Sequence, residues 1–285
     1  MSQTNRVTVQ PLSGAIGAEI GGVDLADLSD RDFAAIHSAW LEHQVLFFRD
    51  QTLSHEAHKA FARRFGRLYV HPYAKGLDGH PEILPVVREA GEAGRNFGGL
   101  WHTDLTFEPE PVMASVLYAR QVPDYGGDTL WASQFAAYAA LSDGMKQMLH
   151  GLRAVHSADA AYSPGKLAGN TRMALKAAAA NTEAVHPVVR VHPESGCRAL
   201  FISRLNTARF ECWTEAESRP LLDYLCSHAE RPEFTCRFRW RPGSVAFWDN
   251  RCTQHIALND YPGNRREMQR VTIRGDKPIG VGAAG

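Results

Sequence analysis

The chain has 285 residues, 44% hydrophobic and 22% charged, with 31 lysines and arginines against 31 aspartates and glutamates, so its formal net charge is zero. That balance gives no broad electrostatic footprint for nucleic acid or an anionic membrane surface, although it leaves room for a local basic pocket. A chain of this length buries roughly three quarters of its unfolded surface and needs no disulfide or metal staple.

Short strand-like runs open the sequence. Residues 7–9 alternate, and 15–20 are interrupted by Gly17 before Gly21 and Gly22 punctuate the chain. Residues 30–43 read as a helix, capped by Ser29 with Asp32 in its first turn. Phe33, Ile36, Trp40 and Leu41 form its apolar stripe. The run 44–48 is short and apolar, as a buried strand is. Ser54 caps a second helix that runs to about Phe65 and stops at Gly66. His55 and His58 on it miss the H-E-x-x-H zinc spacing by one residue and are expected at the surface.

Residues 69–88 read as loop and strand, and the glycine-rich run 89–99 as an exposed loop. Strand-like stretches follow at 111–121, 129–132, 184–191, 199–203, 235–240 and 244–248, with helical ones at 133–141, 143–152 and 214–229. Residues 156–181, rich in alanine, glycine and serine, are either a lid or a partly helical insertion. Strands dominate the middle and end. A mainly β sandwich or jelly roll with helical decoration therefore fits better than βαβ units. The five cysteines are widely spaced and lack a C-x-x-C pair, which excludes a disulfide framework or zinc ribbon and fits a reducing compartment. Residues 1–10 are polar, so no signal peptide is expected, and no run of about 18 apolar residues suggests a membrane helix.

Trp101-His102-Thr103-Asp104 is the sharpest local feature. On a strand, residues i and i+2 share a face, so His102 and Asp104 can converge on one metal. A third ligand must come from elsewhere, and His255, closing the run from Trp248, is the candidate. Two histidines and a carboxylate on one face are the facial triad of non-haem iron(II) oxygenases. The structural alternative is an exposed polar pair or a paired core histidine. Arg266 and Arg270 are four residues apart, which on a strand returns both guanidiniums to one face. Such planar forks suit a carboxylate or sulfonate, unless they and Arg265 simply form a solvated face.

In order, WHTDLTF (101–107), GGDTLWAS (126–133), HPVVRVHPESG (186–196), WDNRCTQH (248–255) and RREMQRVTI (265–273) resemble the taurine dioxygenase family of iron(II)/2-oxoglutarate-dependent dioxygenases, over residues 7–278. The resemblance implies a double-stranded β-helix (jelly-roll) core with flanking helices, one domain over residues 1–285, and a lid insertion near 156–183. It implies that His102, Asp104 and His255 hold iron(II), with no catalytic residue beyond these ligands. Arg266 would bind the distal carboxylate of 2-oxoglutarate, with Thr129 donating its hydroxyl to the same group. Arg270 and His71 would meet the anionic group of the substrate, and Tyr73 would line the pocket. Asn96, or a backbone amide of Gly98 or Gly99, would stand where the family has a polar residue. Iron(II), 2-oxoglutarate and O2 would hydroxylate a small organic anion, a sulfonate, alkyl sulfate or aryloxyalkanoate. Oxygenolytic release of the leaving group would follow, with succinate and CO2 as coproducts. A cytoplasmic homo-oligomer, dimer or tetramer, binding neither nucleic acid nor membrane, completes the expectation.

The sequence departs from the taurine enzymes in the loop 95–100, after Phe201, and after His156, so the substrate pocket is expected to differ and taurine is in doubt. Two other readings stay open. One is a relative that hydroxylates a cationic or amino-acid-like substrate, with Arg270 serving packing. The other is a metal-binding jelly roll without oxygenase activity, against which the retention of Arg266 and Thr129 argues.

Overall fold

Leu46 and Phe48 enter one hydrophobic core while Val45 and Phe47 enter another, so the strand Val45–Phe48 is apolar at every position. The computed structural model describes residues 7–72, 74–94, 96–159 and 182–282. The two cores lie on opposite faces of an eight-stranded sheet. Its order is Thr8–Pro11, Ala18–Gly21, Val45–Phe48, Val245–Asp249, Ala114–Gln121, Arg266–Ile273 and Leu68–Tyr69, with Ile83–Arg88 also paired to Arg266–Ile273. Among the described residues, only the pairing of Ala18–Gly21 with Val45–Phe48 is parallel. A three-stranded antiparallel sheet of Thr235–Phe238, Thr129–Ser133 and Thr253–Ala257 covers the inner face. Trp131 and Phe238 from it pack with Phe47, Leu117, Trp248 and Met268. The two facing sheets form a jelly roll with helices outside.

The helices Asp30–His43 and His55–Arg63 cover the outer face through Ile36, Trp40 and Phe61. Trp40 stacks on Phe247 with ring centroids 4.6 Å apart. Ser29 and Ser54 cap as expected, accepting from the backbone N–H groups of Asp32 and Ala57. The helix Glu215–Ala229 starts with a reciprocal capping box between Thr214 and Glu217 and builds a third core with Phe210 and Ala137. Gly17 permits a tight crossing: its φ is +90°, and a Cβ there would lie 2.8 Å from Cys236 Sγ.

Several expectations change. Residues 184–191 make two strands, because Glu183–Pro187 pairs with Arg153–Ser157 while Val189–Val191 pairs with Arg198–Leu200 in another sheet. The strands Arg153–Ser157 and Thr207–Phe210 carry no signal that sequence pattern could read, being short and without alternation bounded by turns. The residues at both ends of the insertion read over 156–183 lie in paired strands. His156, Ser157 and Glu183 belong to paired strands, and residues 160–181 lie outside the described residues. His58 is not at the surface. It is fully buried, with Nε2 3.1 Å from the Val116 carbonyl, and burial pulls its pKa to about 4, so the ring is neutral. Among the described residues, no helix is long and apolar enough to cross a membrane.

Phe247 is fully buried and sits among the rings of Trp40, Phe61 and Phe65. Phe247→Ala is expected to cost about 3–5 kcal/mol of unfolding free energy. A urea denaturation series measures this, and a loss below about 1 kcal/mol would remove the ring from the core's foundation.

Candidate active site

His102 does not lie in a regular strand. One antiparallel bridge joins it to His255, with His102 N–H donating to the His255 carbonyl at 3.1 Å and His255 N–H donating back at 2.8 Å. His255 belongs to Thr253–Ala257. The chain turns at once after His102, through Leu105 at φ +53°. Asp104 therefore converges on His102, as expected, but by a bridge followed by a turn rather than by a strand repeat. Ligand atoms of His102, Asp104 and His255 all lie within 4.8 Å of one another. The two imidazole centroids are 4.1 Å apart, and His102 Nε2 is 3.8 Å from Asp104 Oδ1.

The protonation states follow from the surroundings. His102 Nδ1 is 2.7 Å from the Leu100 carbonyl, which can only accept, so Nδ1 carries the proton and the Nε2 lone pair is free. Burial holds both imidazoles below their ordinary pKa, which keeps them neutral. Burial alone would raise the Asp104 carboxyl, but the Arg270 guanidinium beside it holds it well below the usual carboxylate range. Arg270 Nη1 donates to Asp104 Oδ1 at 2.8 Å, and Ser115 Oγ donates to Oδ2 at 3.0 Å. His255 Nδ1 is buried without a hydrogen-bond partner. Two neutral imidazoles and one ionised carboxylate form a donor set that fits iron(II).

A second group, His192, Asp249 and Cys252, is equally compact but already satisfied. Arg251 grips both oxygens of Asp249, and His192 Nε2 lies 3.0 Å from Oδ2. Ser195 N–H donates to His192 Nδ1, and burial pushes the Cys252 thiol well above its usual range. This group is a structural network.

Beside the first cluster opens a cavity with about 430 Å³ of empty space, its mouth included. Val86, Phe97, Leu117, Trp131, Trp248 and Ala257 make its apolar wall. Arg266 and Arg270, both on Arg266–Ile273, face it together, as their spacing predicts, and both are buried rather than solvated. Arg265 stands apart and pairs with Glu89 and Glu267. Arg266 Nε and Nη2 have no hydrogen-bond partner. Thr129 Oγ1 accepts from the Trp240 indole N–H at 3.0 Å, which leaves its own proton to donate elsewhere.

The remaining expected site residues divide. His71 is buried, its Nδ1 accepts from Ala74 N–H, and burial with Arg270 nearby lowers its pKa to about 3. Its neutral ring therefore carries the proton on Nε2. Asn96 is not on the cavity wall. Its amide nitrogen donates to the carbonyls of Ala257 and Leu258 and ties the loop to the His255 strand, so Phe97 and Gly98 reach the cavity instead. Tyr73 lies outside the described residues. Ser115 and the wall residues Val86 and Leu117 carry no sequence signal, because cross-sheet register alone brings them in.

A jelly roll holding two histidines and a carboxylate beside a cavity with buried arginines defines the non-haem iron(II) oxygenase class. The family described as taurine catabolism dioxygenase TauD, TfdA family matches residues 8–272, and the chain belongs to that family. It is an iron(II)- and 2-oxoglutarate-dependent dioxygenase that consumes O2. An alpha-ketoglutarate-dependent sulfate ester dioxygenase of Pseudomonas putida is 39% identical, over 96% of this chain and 91% of its own. An alkylsulfatase of Acinetobacter baylyi is 36% identical, over 98% and 88%. The crystal structure of a taurine dioxygenase from Burkholderia xenovorans is 40% identical, with a TM-score of 0.83, over 96% of this chain and 91% of that one.

Gly127, at φ +67°, lets the chain pass Arg266. A Cβ there would lie 3.3 Å from Arg266 Cδ. Gly127→Ala is expected to push the guanidinium aside and raise KM for 2-oxoglutarate roughly 10-fold or more, the loss of one charged hydrogen bond. Steady-state kinetics at saturating second substrate measures it, and an unchanged KM would detach Arg266 from the cosubstrate.

Proposed function

We propose that the enzyme hydroxylates a small organic anion with an apolar body, an alkyl sulfate, a sulfonate or an aryloxyalkanoate, at the carbon bearing the leaving group. The observation that carries this reading is the cavity wall, where buried guanidiniums meet Val86, Phe97, Leu117 and Trp248. Among the described residues that wall offers no carboxylate for an ammonium group, which favours an alkyl or aryl anion over taurine.

His102, Asp104 and His255 hold iron(II) in this reading. Arg266 presents two unpartnered N–H groups to the distal carboxylate of 2-oxoglutarate, and the Thr129 hydroxyl donates to the same carboxylate. Arg270, with His71 close to it, receives the substrate's anionic head. Iron(II) with 2-oxoglutarate and O2 supplies the oxidation, sending one oxygen atom to succinate and the other to a substrate C–H bond, with loss of CO2. Trp131 and Trp248 exclude water from the site, and the protein's work is orientation. A hydroxylated carbon that also bears a sulfate or ether oxygen then collapses. The C=O bond forms, the bond to the leaving group breaks with its electron pair, and the hydroxyl proton passes to water.

We further infer one catalytic domain over residues 1–285, working as a cytoplasmic homo-oligomer, dimer or tetramer. All five cysteines are unpaired, which accords with a reducing compartment.

Succinate release under air, with iron(II), 2-oxoglutarate and a panel of anions, tests the reaction. Alkyl sulfates and aryloxyalkanoates are expected to raise succinate above the uncoupled background, and taurine much less. If no panel member does so, the small-anion reading falls. Arg270→Ala is expected to raise KM for the anion roughly 10- to 100-fold while KM for 2-oxoglutarate moves little. The opposite split would exchange the roles of Arg270 and Arg266.

A further inference from the structure

Asp104 has two carboxylate oxygens with different surroundings. Oδ1 faces His102 Nε2 and accepts from Arg270, whereas Oδ2 accepts from Ser115 Oγ at 3.0 Å. Behind Ser115 stands Asn250, whose Nδ2 lies 3.5 Å from Ser115 Oγ. Asn250 Oδ1 in turn accepts from the Trp248 indole N–H at 3.0 Å and from the backbone N–H of Asp104 at 3.5 Å. Ser115 and Asn250 are both buried.

The bond directions in this chain are fixed at its two ends, by the Trp248 indole N–H, which can only donate, and by the ionised Asp104 carboxylate, which can only accept. An indole N–H can only donate, so the Asn250 atom facing Trp248 must be its oxygen. The amide nitrogen must then face Ser115 and donate to it. With an N–H arriving at its oxygen, the Ser115 hydroxyl sends its proton on to Asp104 Oδ2. Cross-strand register supplies the geometry, since Ser115 lies opposite Trp248 in the sheet.

We propose that Ser115 and Asn250 are positioning residues for the metal: the relay from Trp248 through Asn250 and Ser115 holds Asp104 Oδ2 back and leaves Oδ1 as the carboxylate's single metal ligand. This rests on the reading of Asp104 as a ligand. A carboxylate free to rotate would offer both oxygens and close a position that the cosubstrate or O2 needs. Outer hydrogen bonds of this kind are worth about 10- to 100-fold in metal affinity.

Oxygen-free titration of the protein with cobalt(II), followed by its visible absorption, tests the relay without turnover. Ser115→Ala is expected to weaken cobalt(II) binding about 10- to 100-fold and to change the band shape, with the unfolding midpoint of the metal-free protein little altered. Asn250→Ala is expected to weaken binding less, and the double variant should match Ser115→Ala, because a broken chain cannot be broken twice. Wild-type cobalt(II) affinity in Ser115→Ala, or additive losses in the double variant, would overturn the relay. If Ser115→Ala does not fold, Ser115→Cys carries the same test with a weaker donor, expected to bind cobalt(II) less tightly than wild type; unchanged affinity there also overturns the relay. His102→Ala separates the two levels. Loss of cobalt(II) binding there with unchanged binding in Ser115→Ala sinks the relay alone, and wild-type binding in His102→Ala sinks the metal triad beneath it.

Discussion

Two backbone hydrogen bonds, exchanged between His102 and His255, are the constraint on which the site depends. Residues that exchange both bonds across an antiparallel pair carry their side chains on the same face. The two imidazoles are thereby set side by side before any metal arrives. The bridge also fastens the segment around Trp101 to a strand whose other edge is held by Thr129–Ser133, with His255 opposite Trp131. The cavity wall, with Thr129 on it, and both histidines therefore share one rigid reference. Thr103 strengthens the joint by donating its hydroxyl to the Thr253 carbonyl at 2.8 Å.

Electrostatics follow from that burial. A net charge of zero describes the whole chain, yet the site concentrates cations where the wall is apolar. Arg270 is neutralised by Asp104, but Arg266 keeps two donors without partners. A buried guanidinium left without an anion costs several kcal/mol. An anion that reached the two unpartnered donor nitrogens of Arg266 would lower that cost. Basic character is thus local and sized for small anions, which is why it leaves no trace in overall composition.

Sequence pattern carried the helix caps at Ser29 and Ser54, the strand at Val45–Phe48, and the pairing of Arg266 with Arg270, because each is a local rule with a fixed period. It singled out His102, Asp104 and His255, which the fold brings within 4.8 Å of one another, because histidine and aspartate in so compact a motif are scarce. It failed where tertiary register decides. His58 looked like a surface residue of an amphipathic helix and is buried against the Val116 carbonyl. Asn96 looked like a pocket residue and instead laces two carbonyls. Ser115 is an unremarkable serine in an apolar strand until Trp248 is seen opposite it. The departures from the taurine enzymes in the loop 95–100 were legible as change. Gly98, the alternative read beside Asn96, lies on the wall, whereas Phe97 on that wall required the fold.

The turn between Val245–Asp249 and Thr253–Ala257 explains why so much chemistry sits in one short motif. Those two strands belong to opposite sheets, so the turn is the junction at which the sheets are set relative to each other. Each residue in it holds a different neighbour. Asp249 N–H donates to the Gln44 carbonyl and its carboxylate is gripped by Arg251 and His192. Asn250 N–H donates to the Met113 carbonyl while its side chain faces Trp248 and Ser115. Cys252 accepts, through its carbonyl, from Gln134 N–H. The Asp249 group is closed on itself and rigid, whereas the Asn250 group ends on a carboxylate that faces the histidines. One three-residue turn therefore joins the sheet that carries His255 to the strand facing Ser115, so His255 and Asp104, 151 residues apart in sequence, are both tied to the same short junction.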